Sequence, residues 1–239
     1  MHFGLCYMGF YFMDSYWLLL VLPALIVAMI AQVKVKSNFS KYSRVASEKG
    51  ITGAQAAREI LDSSGLQSVR VERVAGDLTD HYDPRAKVIR LSDSVYASTS
   101  IAAVGVAAHE AGHAVQHAQK YAPLTLRNAI IPVCNIGSSL APILLILGFV
   151  FSFEPLLWAG IAFFSGAVVF QLITLPVEYN ASSRALNILE MRGMLYDDEI
   201  DGTRKVLSAA AMTYVGALLV SLMQLLRLIL IVGGRSRRN

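Results

Sequence analysis

Cysteine is scarce in this 239-residue chain: Cys6 and Cys134 are too few and too far apart for a disulfide framework or a thiolate zinc knuckle. Charge is scarce as well. Asp, Glu, Lys and Arg make up 16% of the residues, and 21 Lys and Arg against 17 Asp and Glu leave a net charge of only +4. No cluster of basic residues is interleaved with stacking aromatics, which argues against nucleic acid as a partner. No Lys or Arg precedes Lys34, so the first apolar run has no positive n-region of a cleavable signal peptide and reads as a retained anchor. Neither an internal repeat nor a low-complexity segment interrupts the chain.

Apolar residues are what the chain has in excess. They make up 55% of it, its mean hydropathy is +0.51, and they are clumped into runs of about 20 residues that match the hydrocarbon thickness of a bilayer. The pattern predicts a mainly α membrane protein with about four transmembrane helices and a small α+β extramembrane domain. Its divisions are an amino-terminal tail (1–15), an anchor (16–33), a soluble domain (34–128), a transmembrane hairpin (129–176), a second polar segment (177–205), a last transmembrane helix (206–232) and a basic tail (233–239). The loops Lys34 to Arg127 and Glu178 to Lys205 carry 13 and 4 of the Lys and Arg residues. By the positive-inside rule both face the cytoplasm. A fourth span would then send Arg235, Arg237 and Arg238 outside, so either the last segment stops short or the long domain is a poor guide to orientation.

Within the soluble region, Thr52 caps a helix whose apolar face is Ala56, Ala57, Ile60 and Leu61. Val69, Val71 and Val74, then the Asp-, Gly- and Pro-rich stretch from Gly76 to Arg85, then Val88, Ile89 and Leu91 predict a β-hairpin with a long tip. An exposed edge at Val69 to Val74 or Val88 to Leu91 could hold an extended peptide by main-chain hydrogen bonds. Ser100 is the N-cap of an Ala-rich helix over Ile101 to Gln119.

That helix carries the residues with the most chemical content. His109, Glu110, Ala111, Gly112 and His113 read H-E-x-x-H, which places two imidazoles one turn apart on one face, both able to reach a single Zn²⁺ at about 2.0–2.1 Å. Glu110, beside the first histidine, is placed to take a proton from water at the metal. His117 continues the same face, but at 1.5 Å per residue it lies about 12 Å along the axis from His109, too far to share one tetrahedral ion. The longer H-E-x-x-H-x-x-G-x-x-H pattern fails too, with Gln116 and Gln119 in place of its Gly and last His. The best third ligand is Glu178, an acidic residue at the emergence of an apolar span that needs a cationic partner. Asp80, His81, Asp83 and Glu190 are the other available donors.

The segment from His109 to Gln116, the stretch Asp80-His81-Tyr82-Asp83-Pro84-Arg85 and the stretch from Leu175 to Ser182 together resemble the bacterial YugP-like neutral zinc metallopeptidases, over nearly the whole chain. The resemblance implies a multi-pass plasma-membrane zinc peptidase with a zincin-like domain of the gluzincin kind. It implies one zinc per chain held by His109, His113 and Glu178, with Glu110 as the catalytic acid and base. Related membrane peptidases often carry Asp four residues after the Glu ligand, where this chain has Ser182. His81, Tyr82, Tyr179 and Arg184 are candidate donors to the developing oxyanion. Asn180, Ser182 and His117 complete the polar residues expected to support the site. The expected partners are the lipid bilayer and a peptide or membrane-protein substrate. The rival readings are a membrane scaffold or binding protein with a structural zinc, and a metal transporter, for which the apolar run before His109 is too short to reach mid-membrane.

Overall fold

The computed structural model describes residues Asp14–Ser236; the rest of the amino-terminal tail with Cys6, and Arg237 and Arg238 of the basic tail, lie outside the described residues. The chain is mainly helical and divides into two units. One takes in the described residues up to Ala31, Arg127–Ile173 and the chain from Thr213 on; the other takes in Gln32–Leu126 and Thr174–Met212.

The first unit holds the apolar parts of four helices long and apolar enough to cross a membrane. A π-helical turn at Trp17–Val21 leads into α1 (Leu22–Tyr42), and the others are α5 (Ala122–Val150), α6 (Glu154–Met191) and α7 (Asp197–Ser236). Each outlasts its apolar run. Pro132 and Pro142 lie inside α5 and Pro176 inside α6. The expected hairpin between α5 and α6 turns at Ser152, which is in the left-handed region at φ 51° and whose hydroxyl accepts from Arg235 Nη2 at 2.7 Å. Arg227, inside the last apolar run, is buried. Its guanidinium donates to the Asp14 carboxylate at 2.8 Å and also meets Gln224. A charge at this depth is costly unless paired, and the pair brings the last helix to the end of the unit where the first begins.

The second unit is built around a buried, small-residue helix. Thr52 caps α2 (Gly53–Ser63) through a reciprocal capping box: Gln55 N donates to Thr52 Oγ1 at 3.2 Å and Thr52 N donates to Gln55 Oε1 at 2.9 Å. A short helix α3 (Asp93–Tyr96), with no signal of its own in the hydropathy pattern, follows the sheet. The Ser100 hydroxyl accepts from Ala103 N to start α4 (Ile101–Ala118), as the N-cap preference predicts. Alanines on most faces of α4 let it be buried on several sides at once. Ile101, Val104, Ala107, Ala108 and Ala111 form a core with Ile60 and Leu61 of α2, Ile89 and Leu91 of the sheet, Val95, and Ala185 and Leu189 of α6. Each large aliphatic side chain withdrawn from water here contributes about 1.5–3 kcal/mol.

The sheet corrects the expected hairpin. It has three strands, β1 (Arg70–Val74), β2 (His81–Asp83) and β3 (Val88–Ser92), in the order β1-β3-β2. The two valine-rich strands are parallel, with Arg70 opposite Val88 and Val74 opposite Ser92. The hairpin is between β2 and β3, with His81 opposite Arg90 and Asp83 opposite Val88. What looked like a loop tip is a crossover that includes a strand. A parallel pair needs such a connection, and the polar residues that disguised the strand are the ones that fold it. Asp80 accepts from Ser92 N at 2.7 Å and Ser92 Oγ at 2.9 Å, while Asp83 Oδ1 accepts from Arg85 N and Ala86 N in the turn before Lys87, which has φ 50°. Val88 to Leu91, being central, has no free edge for a peptide; the edges belong to β1 and β2.

Removing the cap is a test of this unit's local construction. Thr52→Ala should lower stability by about 1 kcal/mol, read as a fall in the thermal unfolding midpoint of the detergent-solubilised chain; an unchanged midpoint would deny the cap a role.

Candidate metal centre

The site is made by two helices approaching closely. Gly112 sits where α4 crosses α6, and a Cβ placed on it would lie 2.7 Å from the Ala181 carbonyl oxygen, a contact no side chain tolerates. Along α6, Val177, Glu178, Ala181, Ser182 and Ala185 form the buried stripe, spaced as a helix face requires. The missing side chain at Gly112 thus lets that stripe come down onto the histidine face of α4.

Glu178, 4% exposed, reaches between the two imidazoles: its Oε2 lies 3.3 Å from His109 Nε2 and 3.5 Å from His113 Nε2. The rings stand edge to face, 4.7 Å apart at 83°. Among the described residues, His109, His113 and Glu178 form the group able to hold a metal ion, with one ligand atom from each lying within 4.8 Å of the others. Two ligand atoms each about 2.0–2.1 Å from a tetrahedral ion lie about 3.3–3.4 Å apart. The two observed separations fit that spacing, and two imidazoles with one carboxylate are a donor set suited to zinc. Burial disfavours a charge on His113, but the hydrogen bond to Glu178 and the charges of Glu110 and Glu178 outweigh it and raise its pKa. Glu110 is half-buried on α4 beside this pair.

Both imidazoles are held from behind. His109 Nδ1 shares a 3.1 Å hydrogen bond with Ser182 Oγ, so the serine four residues after Glu178 stands in contact with a candidate ligand. His113 Nδ1 bonds to Gln116 Oε1 at 3.0 Å. Gln116 is fully buried, and its Nε2 donates to Val177 O at 2.8 Å and Asn180 Oδ1 at 2.9 Å. In the sequence this glutamine stands out as the residue that breaks a longer motif and as the end of the segment that carries the family resemblance, with no role attached to it. Its spacing of three from His113, which puts both on one helix face, was the available signal.

The remaining candidates are dispersed. Tyr82 OH lies 2.9 Å from His117 Nδ1, which ties β2 to α4 one turn beyond His113. Burial, helped by the neighbouring Asp83 charge, raises the Tyr82 pKa, so the group stays a phenol. His81 points to the other face of the sheet, its Nδ1 donating to Thr79 O and its Nε2 facing Arg90. Tyr179 is exposed, with its hydroxyl toward Met212. Arg184 donates to Asn180 Oδ1 at 2.7 Å and to Gln119, and lies over the Tyr121 ring. Asp80 and Asp83 are committed to the sheet, and Glu190 is exposed on α6.

The close approach makes a testable demand. Helix propensity alone favours Ala over Gly by about 1 kcal/mol, yet Gly112→Ala should lower zinc affinity about tenfold or more by holding α6 away. Chelator competition measures this, and an undiminished affinity would sink the argument.

Comparison with known proteins places the chain in a family. Residues 17–233 match the family described as "Putative neutral zinc metallopeptidase". The chain is 53% identical over 215 residues to the "Putative membrane protease YugP" of Bacillus subtilis (strain 168), a match covering 90% of this chain and 96% of that protein. No solved structure matches it. With the match running from the first apolar helix almost to the end of the last, the chain belongs to this neutral zinc metallopeptidase family.

Proposed function

We propose that the protein is a membrane-embedded zinc endopeptidase that hydrolyses peptide bonds near the membrane surface. The observation that carries this reading is the Glu178 carboxylate set between the His109 and His113 ε-nitrogens at spacings that suit a tetrahedral zinc. A gluzincin-like arrangement follows, with these three residues as ligands in a zincin-like domain. Zinc, when bound, supplies Lewis acidity and brings the pKa of water toward about 7. Glu110 accepts the proton from the attacking water and delivers it to the leaving amine. Tyr82 is the best-supported donor to the developing oxyanion. It remains protonated and its partner His117 lies on the ligand face of α4, whereas His81, Tyr179 and Arg184 are engaged elsewhere. The edge of β2, rather than β3, is available to align an extended peptide, since β2 packs against α4.

Substrate class follows from chain connectivity. Glu178 stands in the same helix as the apolar run that ends near Leu175, so the carboxylate is close to the lipid boundary and the preferred substrates are anchored or juxtamembrane segments. The count of Lys and Arg by loop supports a cytoplasmic active site. A non-catalytic structural zinc would have no need of Glu110 beside the first ligand.

Paired substitutions test the chemistry. Glu110→Gln should retain zinc but lose proteolysis by about 10²–10⁴-fold; Glu178→Ala should lose the zinc itself. Full proteolysis by Glu110→Gln, or normal zinc content in Glu178→Ala, would overturn the assignment. Equal cleavage of free soluble and bilayer-anchored peptides by the purified protein would remove the interfacial preference.

A further inference from the structure

The polar groups behind His113 form a chain whose hydrogen-bond directions are all determined. It begins at Arg184, whose guanidinium can only donate. Arg184 Nε lies 2.7 Å from Asn180 Oδ1, so that atom must be the carbonyl oxygen of the amide. Gln116 Nε2 lies 2.9 Å from the same oxygen and 2.8 Å from the main-chain oxygen of Val177, which can only accept. The Gln116 nitrogen must therefore face these two acceptors. Reversing the amide would set its oxygen against two others in a place without water, since Gln116 is fully buried. That leaves Gln116 Oε1 to face His113 Nδ1 at 3.0 Å, and an oxygen there demands an N–H from the imidazole.

We infer that Arg184, Asn180 and Gln116 act as a positioning relay that holds neutral His113 in the Nδ1–H tautomer, so that its lone pair is on Nε2, the atom facing Glu178. The inference rests on the metal-site reading above and adds a reason for residues that touch neither substrate nor metal. It also assigns Arg184 a task other than oxyanion stabilisation. The relay is one-sided. His109 is backed by the Ser182 hydroxyl, which can donate or accept, so nothing comparable dictates its tautomer. Because Gln116 belongs to α4 and its acceptors Val177 and Asn180 belong to α6, the relay also couples the orientation of His113 to the seating of the helix that supplies Glu178. Outer hydrogen bonds of this sort fix ligand orientation and support metal affinity.

The test uses the full chain in detergent, labelled with ¹⁵N-histidine. In zinc-free wild type at alkaline pH, where His113 holds a single proton, its spectrum should show that proton on Nδ1, because Gln116 Oε1 at 3.0 Å is the nearer acceptor and Glu178 Oε2, 3.5 Å from Nε2, can take its hydrogen bond from His109 at 3.3 Å instead. Gln116→Met should give mixed tautomers and bind zinc about 10–100-fold more weakly by chelator competition. Asn180→Asp should bind zinc as the wild type does, because a carboxylate accepts from both Gln116 and Arg184 and keeps every direction in the relay, whereas Asn180→Leu, similar in size but without an acceptor, should weaken zinc binding as Gln116→Met does. A proton on Nε2 of wild-type His113, or unweakened zinc binding by folded Gln116→Met, overturns the relay. The wild-type spectrum needs no variant, so it decides the matter even where Gln116→Met fails to fold. Wild-type protein that takes up no zinc overturns the underlying metal site instead, and the nitrogen spectrum, which requires no metal, tells the two failures apart.

Discussion

Everything at the candidate centre depends on how near α4 and α6 come at Gly112. Side chains at that crossing would hold the helix axes apart, and Glu178 would then be a buried carboxylate without cations or donors around it, an expensive state in any protein. With the glycine, the same carboxylate lies between two imidazoles and is 4% exposed. The close contact therefore does two things at once: it assembles the ligand set and it relieves the burial of charge. Ser182 and Gln116 use the same proximity, each reaching the ring nitrogen that faces away from Glu178.

The small side chains of α4 have the complementary role. A helix that must be packed by α2, the sheet and α6 while presenting two histidines has little room for bulk, and its alanines keep the surrounding elements near. Stability then comes from the partners' larger side chains, Ile60, Leu61, Ile89, Leu91 and Leu189, which meet across a thin helix. This division lets α4 carry polar residues on one face without losing its hold on the core. The buried Arg227 and Asp14 pair is a comparable solution among the apolar helices, where a charge is tolerated because its counterpart comes with it.

Local signals in the sequence were readable wherever a short segment sufficed. The caps at Thr52 and Ser100 are present, and the positions of the four apolar helices were legible from run length alone, because a bilayer imposes a thickness that hydropathy records directly. Strand pairing was not. The valine pattern marks β1 and β3 as strands, but direction depends on what joins them, and the connecting strand β2 is three residues long in a stretch of Asp, Gly and Pro that reads as a turn. Helix ends were also hard to read, since α6 and α7 run on as polar helices where their apolar runs stop.

The amino-acid sequence by itself determined the membrane class, the helix bearing His109, Glu110 and His113, and the choice of Glu178 as the acidic candidate. Periodicity and apolar run length act over neighbouring residues, so one dimension is enough to express them. Tertiary structure alone decided that Glu178 meets both imidazoles, that β3 is central, and that Gln116, Asn180 and Arg184 stand in line behind His113. The contacts between α4 and α6 join residues 61 to 73 positions apart, and whether they form depends on the depth and angle of a helix crossing, which no local pattern encodes.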